Sequence, residues 1–152
     1  MVFGDVVDDT MCLSASGELA QKVWTSLPGR FSFVQLDAFV VMPNHVHGII
    51  ILAGPQSLSP QQKPDIVRAP EKFQPSVQAK RGDHSVPGSK LGEVVRTFKG
   101  ATTHHIRATS DPAFAWQTRY YDHIIRNQQD LDRIRAYIAT NPARWAQDTL
   151  HT

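Results

Sequence analysis

Cysteine is almost absent from this chain: Cys12 is the only one in 152 residues. A lone thiol excludes an internal disulfide and agrees with a reducing compartment. Long apolar runs are missing as well. The longest strongly apolar stretch, Gly48 to Ala53, falls far short of the roughly 20 residues a helix needs to cross a bilayer. The opening segment, MVFGDVVDDTM, is acidic and has neither a basic n-region nor a long apolar h-region, so no secretory signal is expected. No internal repeat is visible. These absences point to a soluble cytoplasmic protein with no membrane partner, and the length suits one domain with its own core.

Charge is unevenly spread. The net +2 hides a block at 63–107 with nine basic and four acidic residues, net +5. Residues 1–62 carry two basic and five acidic side chains, net −3, and residues 108–152 carry five of each. A central basic block suits a polyanionic partner, although an ordinary solvated basic surface has the same composition.

Along the chain, SASGELAQKVWTSL begins with a serine cap, and Leu19, Val23 and Leu27 recur at helical spacing before Pro28 and Gly29 break the pattern. FSFVQLDAFVVM and HVHGIIIL are rich in β-branched and aromatic residues and read as strands joined in a hairpin at Pro43-Asn44. Six of the ten prolines lie within 54–89 amid Gln, Ser, Lys and Gly, which reads as a mobile Pro-rich insertion loop.

A second helix follows from Ser89. Leu91, Val94, Val95, Phe98, Ala101, Thr102 and Ile106 form its apolar stripe, with Arg96, Lys99, Thr103 and Arg107 opposite. Such a basic outer face suits phosphate contacts and is also common on half-buried helices. A last helix starts near Gln128 with Leu131, Ile134 and Ile138 inward, and Asn141-Pro142 is expected to disrupt it. The order helix, strand, strand, loop, helix, helix predicts an α+β fold with an antiparallel sheet and helices packed on it.

The chemistry concentrates in Asn44-His45-Val46-His47-Gly48. Side chains alternate along a strand, so His45 and His47 share one face while Val46 turns to the other. Two neutral imidazoles so placed form a bidentate donor pair for a divalent metal, and two half-exposed polar residues on a strand would show the same spacing. Tyr137 and Asn141 lie four apart on one face of the last helix. Asn141 has a carbonyl oxygen suited to Mg²⁺ or Mn²⁺, and the Tyr137 phenol is a nucleophile for a metal-polarised phosphodiester. By spacing alone a rim aromatic and a helix C-terminal residue are the plainer readings of the two.

VVMPNHVHGIIIL, LGEVVRTFKGATTHHI and WQTRYYDHIIRNQQDLDRIRAYIATNPARW, in that order, resemble the single-tyrosine HUH transposases. The resemblance is to their REP-associated branch, relatives of the smallest insertion-sequence transposases, and covers most of 14–147. MPNHVHG and YIATNPARW carry its specificity; His-x-His alone does not.

The resemblance implies a ferredoxin-like antiparallel sheet carrying the His-x-His motif, with Tyr137 as nucleophile and His45, His47 and Asn141 holding Mg²⁺ or Mn²⁺. Many relatives have glutamine where Asn141 stands. It further implies nicking and rejoining of single-stranded or hairpin DNA through a 5′-phosphotyrosine link. Arg96, Lys99, Arg107 and Arg119 would contact that DNA. The family pattern includes a strand before Phe3-Gly4 that this chain, a single domain over 1–152, is expected to lack, and a homodimer covering the edge so exposed is an open expectation. Tyr120 and Tyr121, beside Trp116, read as core or a stacking platform rather than the nucleophile. His104, His105 and His123 read as surface polar residues. Two alternatives remain open at this level. One is a phosphoesterase that activates water with the two histidines, and the other a catalytically inactive or truncated relative that only binds structured DNA.

Overall fold

The computed structural model of the chain describes residues 1–53, 69–70, 90–116 and 120–147. It begins with a hairpin, β1 (Gly4–Val7) and β2 (Thr10–Leu13), turned by Asp8 and Asp9, both at positive φ (48° and 59°). Short Asx side chains tolerate that left-handed geometry, which matches the twist of a two-residue hairpin. Gly4, at φ 133°, must be glycine: a Cβ there would lie 2.0 Å from the Cys12 carbonyl oxygen.

Helix α1 (Ala15–Arg30) starts as its sequence predicts, with the Ser14 hydroxyl accepting from the Gly17 N–H at 3.2 Å. The same hydroxyl donates to the Val2 carbonyl at 2.8 Å, tying the helix start to the N-terminal segment. Pro28 does not stop the helix. The last turn continues to Arg30, and the Phe31 N–H closes it on the Leu27 carbonyl at 2.9 Å. Leu27, buried at the centre of the core, anchors the turn into which Pro28 fits.

The centre of the molecule is the hairpin β3 (Val34–Val41) and β4 (Val46–Leu52), closed by the Met42 N–H on the His45 carbonyl at 2.8 Å. The turn at Pro43-Asn44 is where the sequence put it, and the Phe3 N–H bonds the Pro43 carbonyl at 3.0 Å. A bulge interrupts the register between Leu36 and Phe39. Either side of it the inward residues change parity: Val34 and Leu36 before, Phe39 and Val41 after, all pack in the same core.

Helix α2 (Lys90–Thr109) packs beside α1 on one face of this hairpin. Leu91, Val94, Val95, Phe98 and Ile106 meet Ala20, Val23, Trp24, Leu27, Val46 and Ile50 there, joined by Phe3 and Phe114. Helix α3 (Gln128–Thr140), capped by Asn127 accepting from the Asp130 N–H at 2.8 Å, packs on the other face. Its buried Leu131, Ile134 and Ile138 join Ile49 and Ile125 in a second, smaller core.

The chain therefore has an α+β fold, with antiparallel pairing and helices packed on it. The N-terminal hairpin was not foreseen, because strands of four residues show too little periodicity to read. The predicted mobile loop at 54–89 lies outside the described residues except for 69–70. There β5 (Ala69–Pro70) pairs antiparallel with β6 (Asp122–His123). Among the described residues no helix is long and apolar enough to cross a membrane.

Helix α3 ends at Thr140, directly before Asn141-Pro142 as expected, but not because Asn141 leaves helical geometry. Asn141 keeps right-handed helical geometry (φ −60°, ψ −43°), and Pro142 opens a 3₁₀ helix, Pro142–Gln147. Proline's missing donor costs nothing at the first position of a new helix. The continued path brings Trp145 back against Met42 at the hairpin turn.

Candidate active site

Alternation along β4 separates two environments. Val46 and Ile50 enter the core under α1 and α2, whereas Ile49 packs beneath α3. His45 and His47 lie on the α3 side, against residues of α3 and the 3₁₀ helix. Gly48 points the other way and is covered by Trp24, whose ring stacks on Phe39 at 4.4 Å between centroids. A Cβ at 48 would meet the indole at 2.5 Å, so this strand lies close under α1 only because 48 is glycine.

The two imidazoles are fully enclosed, at 0% and 1% exposure. Their rings stand 4.6 Å apart at 86°, and their Nε2 atoms face each other at 2.9 Å. Two solvent-exposed decorative histidines would look nothing like this. The 2.9 Å between the two nitrogens is a hydrogen-bond distance, and two neutral imidazoles held this close are also the donor type that a divalent metal takes.

α3 and the segment after it supply the rest. The Tyr137 ring meets His47 edge-on, 5.4 Å between centroids at 81°, and the Trp145 ring lies 6.0 Å from that of His45. Asn141 falls midway, four residues from each along a path that stays helical. It is 3% exposed, and its Oδ1 is buried without a hydrogen-bond partner among the described residues. A buried carbonyl oxygen left unpaired costs about 1–3 kcal/mol. A hard cation would satisfy it. Among the described residues no group of three His, Cys, Asp or Glu side chains is placed to hold a metal ion. By donor chemistry, His45, His47 and the unpartnered Asn141 Oδ1 are the residues that would hold Mg²⁺ or Mn²⁺.

Two further contacts shape the site and were not read from sequence. The Asn44 Oδ1 accepts a hydrogen bond from His45 Nδ1 at 2.7 Å. Arg135 bridges from α3 to Asp37 at the β3 bulge, Nε to Oδ1 at 2.9 Å and Nη2 to Oδ2 at 2.5 Å. That guanidinium holds the Asp37 carboxyl below its ordinary range, with a smaller downward push from the Ala38 N–H, while partial burial opposes both. A long-range ion pair 98 residues apart leaves no local sequence signal. Trp145 could have been suspected, since it stands four residues beyond Asn141.

The expected DNA contacts are not brought to this site. Arg96, Lys99 and Arg107 belong to α2, across the hairpin from the histidines. Arg96 is exposed on the outer face. Lys99 instead folds over the Trp116 ring, 6.0 Å from its centroid, and burial lowers its pKa. The Arg107 Nε donates to the Phe114 carbonyl at 2.7 Å. Arg119 lies outside the described residues. Tyr120 packs against the main core, as its aromatic neighbours suggested. His123 pairs with Asp130 at 2.8 Å, and His104 and His105 are exposed, their rings against each other.

The chain belongs to the same family as a protein of Haemophilus influenzae (strain ATCC 51907 / DSM 11121 / KW20 / Rd) described as an uncharacterized protein. The two are 32% identical over 150 residues, which span 99% of this chain and 77% of that protein. No family model matches the chain, and no solved structure matches it.

Proposed function

We propose that this protein is a metal-dependent DNA strand transferase of the single-tyrosine HUH type, acting on single-stranded or hairpin DNA in transposition. One observation carries the reading: the helical face that leans Tyr137 on His47 also carries Asn141, whose buried carbonyl oxygen has no other partner among the described residues. Nucleophile, two imidazoles and a hard-oxygen donor thereby come from two elements far apart in sequence.

His45, His47 and Asn141 hold Mg²⁺ or Mn²⁺, which when bound polarises the scissile phosphate and offsets its developing charge. Tyr137 attacks phosphorus through its phenol oxygen. The bond to the 3′ oxygen breaks, that oxygen leaves as a 3′-OH, and the 5′ side remains as a phosphotyrosine. Attack by another strand's 3′-OH reverses the step and frees the tyrosine, so no external energy source enters. His47, edge-on to the phenol, limits where the Tyr137 ring can swing. Arg96, Lys99 and Arg107, on α2 across the hairpin from the histidines, would contact phosphates of the DNA flank rather than the scissile one, and Arg119 is assigned to the same DNA.

The test is incubation of the protein with labelled single-stranded hairpin DNA and Mn²⁺. The expected result is a denaturation-resistant covalent adduct, absent in Tyr137→Phe. Cleavage without an adduct, unaffected by Tyr137→Phe, would establish a phosphoesterase instead. Binding with no cleavage at saturating Mn²⁺ would leave only a DNA-binding module.

A further inference from the structure

The hydrogen bonds around His45 distinguish the two histidines, which alternation alone makes equivalent. The Asn44 side-chain oxygen can only accept, so the 2.7 Å contact places a proton on His45 Nδ1. A neutral imidazole has one N–H, and His45 Nε2 is then a bare lone pair. That lone pair faces His47 Nε2 at 2.9 Å, a hydrogen-bond distance between two buried nitrogens. The proton in this contact must come from His47.

From this arrangement we propose that Asn44 is a positioning residue for the metal: it locks His45 in the tautomer that presents Nε2. His45 is then the ready ligand, and His47 the one that rearranges. For His47 to bind the same ion, its Nε2 would have to give up the proton it shares with His45. Partners on the far nitrogen of a metal-binding histidine commonly set its ring orientation and tautomer. Asn44 can do so because it occupies the tight turn between β3 and β4, one residue ahead of His45. The inference rests on the proposed metal site, and it adds a division of labour that the ligand set does not contain.

The experiment pairs two readouts on metal-free and Mn²⁺-titrated protein. Nitrogen-15 NMR of histidine-labelled, metal-free protein reports each tautomer, and electron paramagnetic resonance of free Mn²⁺ reports affinity. The wild type should show His45 with its proton on Nδ1 and His47 with its proton on Nε2. Asn44→Ala should lose the His45 preference and bind Mn²⁺ about 10- to 100-fold more weakly, while Asn44→Asp, which keeps an acceptor, should retain both. Asn44→Ser, too short to reach Nδ1 yet suited to the turn, should follow Asn44→Ala and serves if the alanine variant does not fold. If the wild type binds Mn²⁺ and Asn44→Ala or Asn44→Ser matches it in affinity and tautomer, the role of Asn44 is overturned and the metal site stands. If the wild type itself binds no Mn²⁺, the metal reading fails, and this inference with it.

Discussion

Arg135 on α3 grips Asp37 at the bulge of β3 through two side-by-side hydrogen bonds, 2.9 and 2.5 Å long. The bulge is what makes this reach workable. It shifts the parity of β3, so that Asp37 and Ala38 both fall between the core-facing Leu36 and Phe39. Ala38 packs in the small core beneath α3, and the Asp37 carboxylate bonds the Ala38 N–H at 2.7 Å. Only three side chains of α3, Leu131, Ile134 and Ile138, are fully buried. A planar fork on a carboxylate adds a directional contact to this apolar packing, two residues before Tyr137.

Asp37→Ala should therefore destabilise the fold by about 1–2 kcal/mol, a figure kept low because Arg135 is partly solvated. The pH dependence follows from the lowered folded pKa of Asp37. Its stabilisation is complete above the unfolded value of 3.8 and is lost as pH falls from there through the lower folded value. Urea denaturation of wild type and Asp37→Asn at several pH values checks this. The gap between them should be constant near neutrality and shrink only below about pH 4. A gap that closes between pH 6 and 8 would contradict it.

Gly48→Ala should cost about 1–3 kcal/mol through overpacking. The new methyl would sit 2.5 Å from the Trp24 ring and 2.9 Å from that of Phe39, and the Trp24 ring, 3% exposed and stacked, has little room to retreat. Trp24→Phe in the same background should recover part of the loss. Thermal denaturation of the three proteins reads it out. Full stability in Gly48→Ala alone would mean that the close approach of α1 to β4 is not tight.

Thr102→Val should be neutral or stabilising, by up to roughly 1 kcal/mol. Thr102 is 0% exposed among the aliphatic residues of α2, and its hydroxyl has no hydrogen-bond partner among the described residues. Valine has the same shape without the stranded hydroxyl. A loss above 1 kcal/mol in chemical denaturation would reveal a partner for that hydroxyl.

Asn141→Leu should separate stability from metal binding. Replacing a buried, unpaired carbonyl by an aliphatic group of similar size should leave the metal-free fold as stable as wild type or more so. The same change removes the hard-oxygen donor, and Mn²⁺ affinity measured by calorimetry should fall at least 10-fold. Unchanged affinity would exclude Asn141 as a ligand. Such opposed effects are the usual mark of a residue kept for function.

What the residues by themselves determined is the local structure. Ser14 caps α1, the β-branched runs pair about Pro43-Asn44, and the apolar stripes of α2 and α3 are the buried ones. Alternation also put His45 and His47 on one face, because a strand's period of two is a property of any extended chain. Whether that face met solvent or protein was beyond reach of periodicity. Tertiary packing decided it, by placing α3 there and α1 with α2 opposite. The same packing set Arg96, Lys99 and Arg107 across the hairpin from the histidines, although sequence made all of them equally good partners for phosphate. It also carried the chain past Pro142 to bring Trp145 back to His45. Spacing within a helix or strand is short-range and legible, whereas which face covers which depends on side chains up to 98 residues apart, as Asp37 and Arg135 are.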